Sequence, residues 1–340
     1  MGITRYTSEL EQFRSELYQN LNKRADTLME LVDAISSNPS AQSVVEYSLS
    51  ECFRRSYSTI FKAIDEMEVG SMLLPTLLAR YLPKPRLRPY WLLMVDVTSQ
   101  PRRYAQTLSD RGMVYEASIV KKNKPVTIGH QYSTVSLGLE AEANVSASWV
   151  LPLLNRRVAT EQDKELVGGE QVDALLQDAK LPFGQDLSVE VADSSYSKAA
   201  YLHSHRKHDN LVTVVRVRGN RTFYQQPNAA AESGAGHPTW FGEPFALSNP
   251  ATWPAADETE SHDETSRRGK VYRIEVQSWN NMLMRGKRQP KPLPMHEHPF
   301  TLVRIVRYHA EGQLACKRPL WLIVMGKRRH QLNLAQSYAA

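Results

Sequence analysis

Cysteine and long apolar runs are scarce in this sequence, and both absences narrow the class of protein. Two cysteines, Cys52 and Cys316, are too few for a disulfide framework and favour a reducing compartment. The sequence has no run of the roughly 20 apolar residues that a membrane helix needs. Residues 1–6 lead into polar sequence rather than into the apolar core of a secretory signal. We therefore expect a cytoplasmic protein with no membrane partner.

Several common catalytic motifs are also missing. The sequence contains no phosphate-binding glycine loop, no G-x-S-x-G turn and no H-E-x-x-H helix, which argues against the enzyme classes that depend on them. What is present is an ordinary globular composition over 340 residues, with 41% hydrophobic and 23% charged residues. The formal net charge of +6 and the pI of about 9.2 are compatible with a polyanionic partner.

Changes in amino-acid composition and apolar periodicity divide the chain into segments. A helical N-terminal domain is predicted at 1–82, a linker at 83–89, an α/β core at 90–218 and 318–340, and a β-rich insertion at 219–317. Amphipathic stripes indicate the helices, and repeated prolines favour an extended linker. In the core, strands come first as a meander and then alternate with helices. This order predicts an α/β fold, with a mixed sheet flanked by helices.

Two local expectations follow from residue type alone. Gly168-Gly169 interrupts the helical pattern at 161–180, so we expect the helix to break there. Residues 250–268 are acidic and have no apolar periodicity, which predicts a long exposed loop.

Two aspartates stand at the ends of apolar, strand-like runs. Asp96 closes the run that begins at Trp91, and Asp193 closes the run that begins at Leu187. If the two strands are neighbours, their carboxyl ends lie about 4.8 Å apart, where open α/β sheets bind ligands. Two carboxylates at that place can hold divalent cations for phosphoryl transfer. An aspartate after a strand also commonly caps a helix or forms an Asx-turn, and the sequence leaves both interpretations open.

The segments Leu93–Thr98, Val191–Tyr196 and Leu211–Arg218 carry a resemblance to a known family. Together with the order of elements over about residues 90–340, they resemble bacterial insertion-sequence transposases of the DDE class, which have a ribonuclease-H-like core with a β-rich insertion. The resemblance implies that Asp96 and Asp193 are the first two catalytic acids and bind Mg²⁺ or Mn²⁺. It also implies the reaction: activated water cuts a phosphodiester at the transposon end, and the freed 3′-hydroxyl attacks target DNA.

The third acid of that family is a Glu on a helix after the strand that follows the insertion. This strand matches Leu320–Met325, and the family's Tyr-Arg…Glu pattern does not follow before Ala340. We therefore expect a chain truncated before the catalytic Glu, which binds DNA with weak or absent catalysis. Two other functions stay open: a structure-specific nuclease or resolvase with the same core, and a noncatalytic DNA-binding remnant.

Basic residues recur where they can contact phosphates. The candidates for DNA binding are Lys121, Lys122, Lys124, Arg216, Arg218, Arg285, Lys287, Arg288 and Lys291. Phosphate contacts of this kind give sequence-independent, salt-sensitive affinity, whereas a solvated basic face is the ordinary alternative. The partners implied by the resemblance are the terminal inverted repeats of the transposon and target DNA, which would associate the protein with the nucleoid. A homodimer is one assembly that the sequence leaves open.

Overall fold

The chain forms two compact units, Met1–Lys84 and Pro85–Ala340. The computed structural model describes residues 2–116, 125–140, 149–227, 240–266, 268–286 and 293–333. None of the helices in these ranges combines the length and the apolar character needed to cross a membrane.

The first unit is helical. Its helices are α1 Gly2–Gln19, α2 Ala25–Ser37, α3 Val44–Ser48, α4 Tyr57–Asp65 and α5 Leu73–Ala79. A small apolar core joins α2 to α4, with Leu31, Ala34, Phe53 and Ile60 buried together. Leu31 and Ala34 are three residues apart, so they lie on one face of α2, and that face contributes to this core.

The second unit contains all the strands that the structure describes, and two α-helices. The strands are β1 Trp91–Pro101, β2 Gly112–Tyr115, β3 Val126–Gly138, β4 Val150–Val158, β5 Ser188–Ala192, β6 Leu211–Val217, β7 Thr222–Tyr224, β8 Pro244–Ala246, β9 Glu258–Thr265, β10 Val271–Met282, β11 Phe300–His309 and β12 Leu320–Met325. The helices are α6 Lys164–Gln177 and α7 Ala199–Ser204.

Ten of these strands form one mixed sheet within the described residues. Its order is β2-β3-β1-β5-β6-β12-β11-β10-β9, and β4 pairs with β3 beside β2. β5 runs parallel to both β1 and β6, whereas the other pairings in the sheet are antiparallel. The predicted α/β class, with a mixed sheet flanked by helices, is confirmed.

The two faces of the sheet have different neighbours. Val95 of β1 packs against α6 at Gly168. Leu92 and Met94 belong to an apolar cluster on the opposite face, where strands β1, β5, β6 and β10–β12 all contribute. Because side chains alternate along a strand, Asp96 follows Leu92 and Met94 on this second face. We call it the carboxylate face.

Helix α6 runs without interruption through Gly168-Gly169, so the expected break is wrong. A Cβ at Gly168 would lie 2.8 Å from Val95 Cγ1 and 3.3 Å from Tyr196 Cε1. The missing side chain therefore lets the helix approach the sheet closely, and the packing gained there offsets the intrinsic cost of glycine in a helix.

The acidic stretch predicted as an exposed loop contains a strand instead. β9 pairs with β10 from Val271↔Thr265 to Ser278↔Glu258 and forms one edge of the sheet. Backbone hydrogen bonds to β10 stabilise this strand. Because its side chains are mostly exposed, the sequence shows no apolar periodicity from which the strand could be predicted. Charged side chains on an edge strand also discourage pairing with another chain.

Substitution of the two adjacent glycines of α6 tests this packing. We expect Gly168→Ala to lower the free energy of unfolding by about 1–3 kcal/mol, because the stiff Val95 side chain must move. Gly169→Ala is the matched control, since its Cβ would meet Tyr201 at an ordinary 3.4 Å. The control should be neutral or stabilise by up to about 1 kcal/mol through helix propensity. Urea unfolding measures both, and equal effects of the two changes would contradict the close approach.

Candidate functional site

The pairing of β1 with β5 places the two aspartates side by side. The parallel register runs from Trp91↔Ser188 to Val95↔Ala192. The next residue on each strand is Asp96 and Asp193. The backbone of Asp193 is still extended, with φ −75° and ψ −176°. Neighbouring strands are about 4.8 Å apart, and paired residues project from the same face, so both carboxylates lie at one place on the carboxylate face.

An arginine continues this row on the next strand. β5 pairs with β6 in parallel up to Ala192↔Val215, so Arg216 comes next to Asp193. Arg216, Asp96 and Asp193 are all exposed.

The expectation that the strand ends at Asp96 is wrong, because β1 continues to Pro101 through its pairing with β3. Asp193 and Arg216 stand at the carboxyl ends of β5 and β6, and Asp96 lies on β1 at the same level. The two acids and the guanidinium therefore share one face where β5 and β6 end, a place at which open α/β sheets bind ligands.

Local hydrogen bonds fix the Asp193 carboxylate. Its Oδ1 accepts from the backbone N of Ser195 at 2.7 Å and from Ser195 Oγ at 2.6 Å. These bonds cap the short 3₁₀ helix Ser194–Tyr196. Oδ2 has no hydrogen-bond donor among the residues that the structure describes. The capping role foreseen as the alternative interpretation is therefore present, and it occupies only one of the two oxygens.

Glu190 of β5, three residues before Asp193, is a buried acid that fixes the position of this strand. Glu190 is fully buried on the helix-covered face and accepts hydrogen bonds from the Tyr201 hydroxyl of α7 and from Thr213 Oγ1 of β6, the latter at 3.2 Å. Burying a carboxylate is costly unless it is hydrogen-bonded, so these partners hold β5, β6 and α7 in a fixed relation. The position of Asp193 at the end of β5 depends on that relation.

Tyr196 is a buried tyrosine in an acidic environment. Its side chain is buried, and the hydroxyl has no hydrogen-bond partner in the described part of the chain. Burial raises the pKa of Tyr196, and the negative charges of Asp96, Glu165, Asp193 and Glu190 raise it further.

The chemistry of the two aspartates fits a hard divalent cation. Mg²⁺ and Mn²⁺ prefer oxygen ligands, and carboxylates on adjacent strands supply them. Within the described residues, no group of three or more His, Cys, Asp or Glu side chains is arranged to hold a metal. The structure thus offers two convergent acids, and their role as metal ligands stays a prediction.

Three of the predicted DNA-binding residues lie in the described part of the chain, at two places. Arg216 lies beside Asp193, and Arg218 is exposed two residues further along the chain. Arg285 lies 4.6 Å from the centre of the Tyr224 ring and 5.7 Å from that of Phe241. The remaining six lie outside the described residues; they are Lys121, Lys122, Lys124, Lys287, Arg288 and Lys291.

Two polar residues beside Asp96 are missed by sequence reasoning. Thr134 of β3 is the antiparallel partner of Asp96, and Asn155 of β4 is the partner of Thr134. Asn155 Nδ2 donates to Thr134 Oγ1 at 3.0 Å. No local pattern could reveal them, because they reach Asp96 only through strand pairing.

Comparison with known proteins places this arrangement in a family. A family model described as DDE superfamily endonuclease matches residues 16–284, which is well over half of the chain and includes Asp96, Asp193 and Arg216. No curated protein matches the chain. Endonucleases of this superfamily act on DNA and typically use divalent metals. The order β4-β3-β1-β5-β6, flanked by helices, is a ribonuclease-H-like core. By this match, the chain belongs to the DDE superfamily of endonucleases.

Proposed function

We propose that this chain is the transposase of a bacterial insertion sequence and acts on the DNA at the ends of that element. One observation carries the proposal: the register of β1, β5 and β6 brings Asp96, Asp193 and Arg216 into a single row. Two carboxylates that lie next to each other on one face can bind divalent cations, and the neighbouring arginine can bind a phosphate. Family membership supplies the class of reaction on DNA.

Asp96 and Asp193 are the residues that would hold Mg²⁺ or Mn²⁺. Such ions, when bound, activate a water or a 3′-hydroxyl and stabilise the leaving oxygen of a phosphodiester. The Ser195 bonds keep the Asp193 carboxylate in one orientation. Arg216 would donate to a non-bridging oxygen of the phosphate and hold the strand over the carboxylates.

The reaction proceeds in two displacements at phosphorus. Water first attacks the phosphodiester at the end of the element, and the P–O bond to the 3′ oxygen breaks to leave a 3′-hydroxyl. That hydroxyl then attacks a phosphodiester of the target. A P–O bond forms to the 3′ oxygen of the element, and the target's own P–O bond to its 3′ oxygen breaks to leave a 3′-hydroxyl on the target. Both steps use the same acidic site, to which this chain would contribute Asp96 and Asp193. The third acid of the family has no counterpart beside them in the described residues, so we expect DNA binding with weak catalysis.

Metal binding tests the role of the aspartates independently of catalysis. We expect this chain to bind Mn²⁺, measured as loss of the free-ion signal in electron paramagnetic resonance. Asp96→Asn and Asp193→Asn should each weaken binding at least about tenfold, because each removes one of two anionic ligands.

Asp209→Asn is the matched control for this measurement. Asp209 is 67% exposed and pairs with Lys327 at 2.5 Å, at the end of β6 opposite Arg216. Its loss should leave Mn²⁺ affinity unchanged, because Asp209 lies at the opposite end of β6 from the two aspartates and pairs with Lys327 on the surface. Equal affinities for wild type, both site variants and the control would refute the site.

Substrate preference separates a transposase from a nuclease with the same core. DNA carrying the inverted repeats that flank the gene should bind in preference to a branched duplex of equal length and to a scrambled duplex, at one fixed salt concentration. Gel-shift competition among the three DNAs measures this. A preference for the branched DNA would instead favour a structure-specific nuclease or resolvase.

A further inference from the structure

The polar row beside Asp96 widens into a patch on β1, β3 and β4. Asp96 pairs with Thr134, and two residues further along β1, Thr98 pairs with Tyr132. On β4, Asn155 is the partner of Thr134 and Arg157 the partner of Tyr132. Directly paired residues share a face, and so do residues two apart on a strand. All of these residues therefore lie on the carboxylate face. We call this set the polar patch; it comprises Thr98, Tyr132, Thr134, Asn155 and Arg157.

The other face of the same strands is covered. Val95 packs against Gly168 of α6, where a Cβ would also come within 3.3 Å of Ser133 Oγ. Arg156 of β4 pairs with Glu170 of α6 at 2.6 Å. Helix α6 thus lies on the face opposite to the polar patch. On the patch itself Thr98, Asn155 and Arg157 are exposed, and Tyr132 and Thr134 are half-buried.

The patch is rich in hydrogen-bond donors. Asn155 Nδ2 donates to Thr134 Oγ1, which leaves the Thr134 hydroxyl hydrogen as a donor of its own. Arg157 gives one N–H to Asp110 Oδ2 at 2.6 Å, and a guanidinium carries five such donors. Hydroxyl, amide and guanidinium donors are the groups that contact phosphate and sugar oxygens in protein–DNA interfaces.

The patch and Arg216 lie on opposite sides of the two aspartates. From β4, which carries Arg157, the order runs through β3, β1 and β5 to β6, which carries Arg216. Four strand spacings separate the two arginines, or about 19 Å across the sheet. A DNA backbone that runs across the strands, over Arg216 and the carboxylate pair, passes over this patch on the other side.

We propose that the polar patch binds the sugar-phosphate backbone of DNA on the side of Asp96 away from Arg216. This inference rests on the proposed function, since it assumes that Asp96 and Asp193 face DNA. It adds a second binding surface, centred on Arg157 and Asn155, to the row of Asp96, Asp193 and Arg216. The contacts go to phosphate and sugar, so the patch contributes affinity and orientation without sequence preference.

Two adjacent arginines provide a matched test. Arg157 and Arg156 are 40% and 43% exposed, and each has a carboxylate partner at 2.6 Å, but they lie on opposite faces of β4. We expect Arg157→Ala to weaken binding of a fluorescein-labelled duplex roughly three- to tenfold, and to reduce the slope of log affinity against log salt by about one. Arg156→Ala should stay within about twofold of wild type, because Arg156 lies on the opposite face of the sheet from Asp96. Fluorescence anisotropy between about 50 and 200 mM salt measures both. Equal effects of the two changes would overturn the proposal.

A second variant keeps the test independent of the Arg157 ion pair. Asn155→Asp adds a negative charge at the centre of the patch and should weaken duplex binding more than Asn155→Ala does. Thermal unfolding of every variant confirms that it is folded. If wild type binds the duplex but Asn155→Asp and Arg157→Ala bind equally well, the patch is wrong and the proposed function stands. If wild type does not bind the duplex at all, the proposed function fails as well.

Discussion

The parallel pairing of β5 with β1 and with β6 is the constraint on which the site depends. It sets Asp96, Asp193 and Arg216 at one level on the same face. A register shift of one residue would turn either aspartate toward the face that α6 covers, because side chains alternate with a period of two. Buried hydrogen bonds on the helix-covered face stabilise this register, because Glu190 of β5 accepts from Tyr201 of α7 and from Thr213 of β6. Contacts on the helix-covered face thus determine where Asp96, Asp193 and Arg216 lie on the carboxylate face.

The sequence predicted those features that depend on local pattern. The apolar run before Asp193 is β5, and Leu211–Val217 and Leu320–Met325 are β6 and β12. The run before Asp96 is the first part of β1, which continues to Pro101 because β3 pairs with it there. Two predictions from local pattern were wrong, because tertiary contacts determine the structure of those segments. Helix α6 tolerates Gly168 because the sheet lies too close for a side chain. Strand β9 forms from an acidic segment because β10 supplies its backbone partners.

The surroundings of Asp96 could not be read from the chain for the same reason. Thr134, Asn155 and Arg157 stand far from Asp96 in sequence and reach it only through the antiparallel ladders of β3 and β4. The convergence of the two aspartates was an inference about which strands are neighbours, and only the pairing itself could place them. The two interpretations of Asp193 also turn out to be compatible, since Ser195 occupies one carboxylate oxygen.

The central claim is that Asp96 and Asp193 together hold divalent metal. Anomalous diffraction from crystals soaked in Mn²⁺ tests it most directly, because it locates the ion without reference to activity. The account predicts an anomalous peak in contact with carboxylate oxygens of both residues, at about 2.1–2.2 Å. Peaks only at other carboxylates, with none between Asp96 and Asp193, would contradict it.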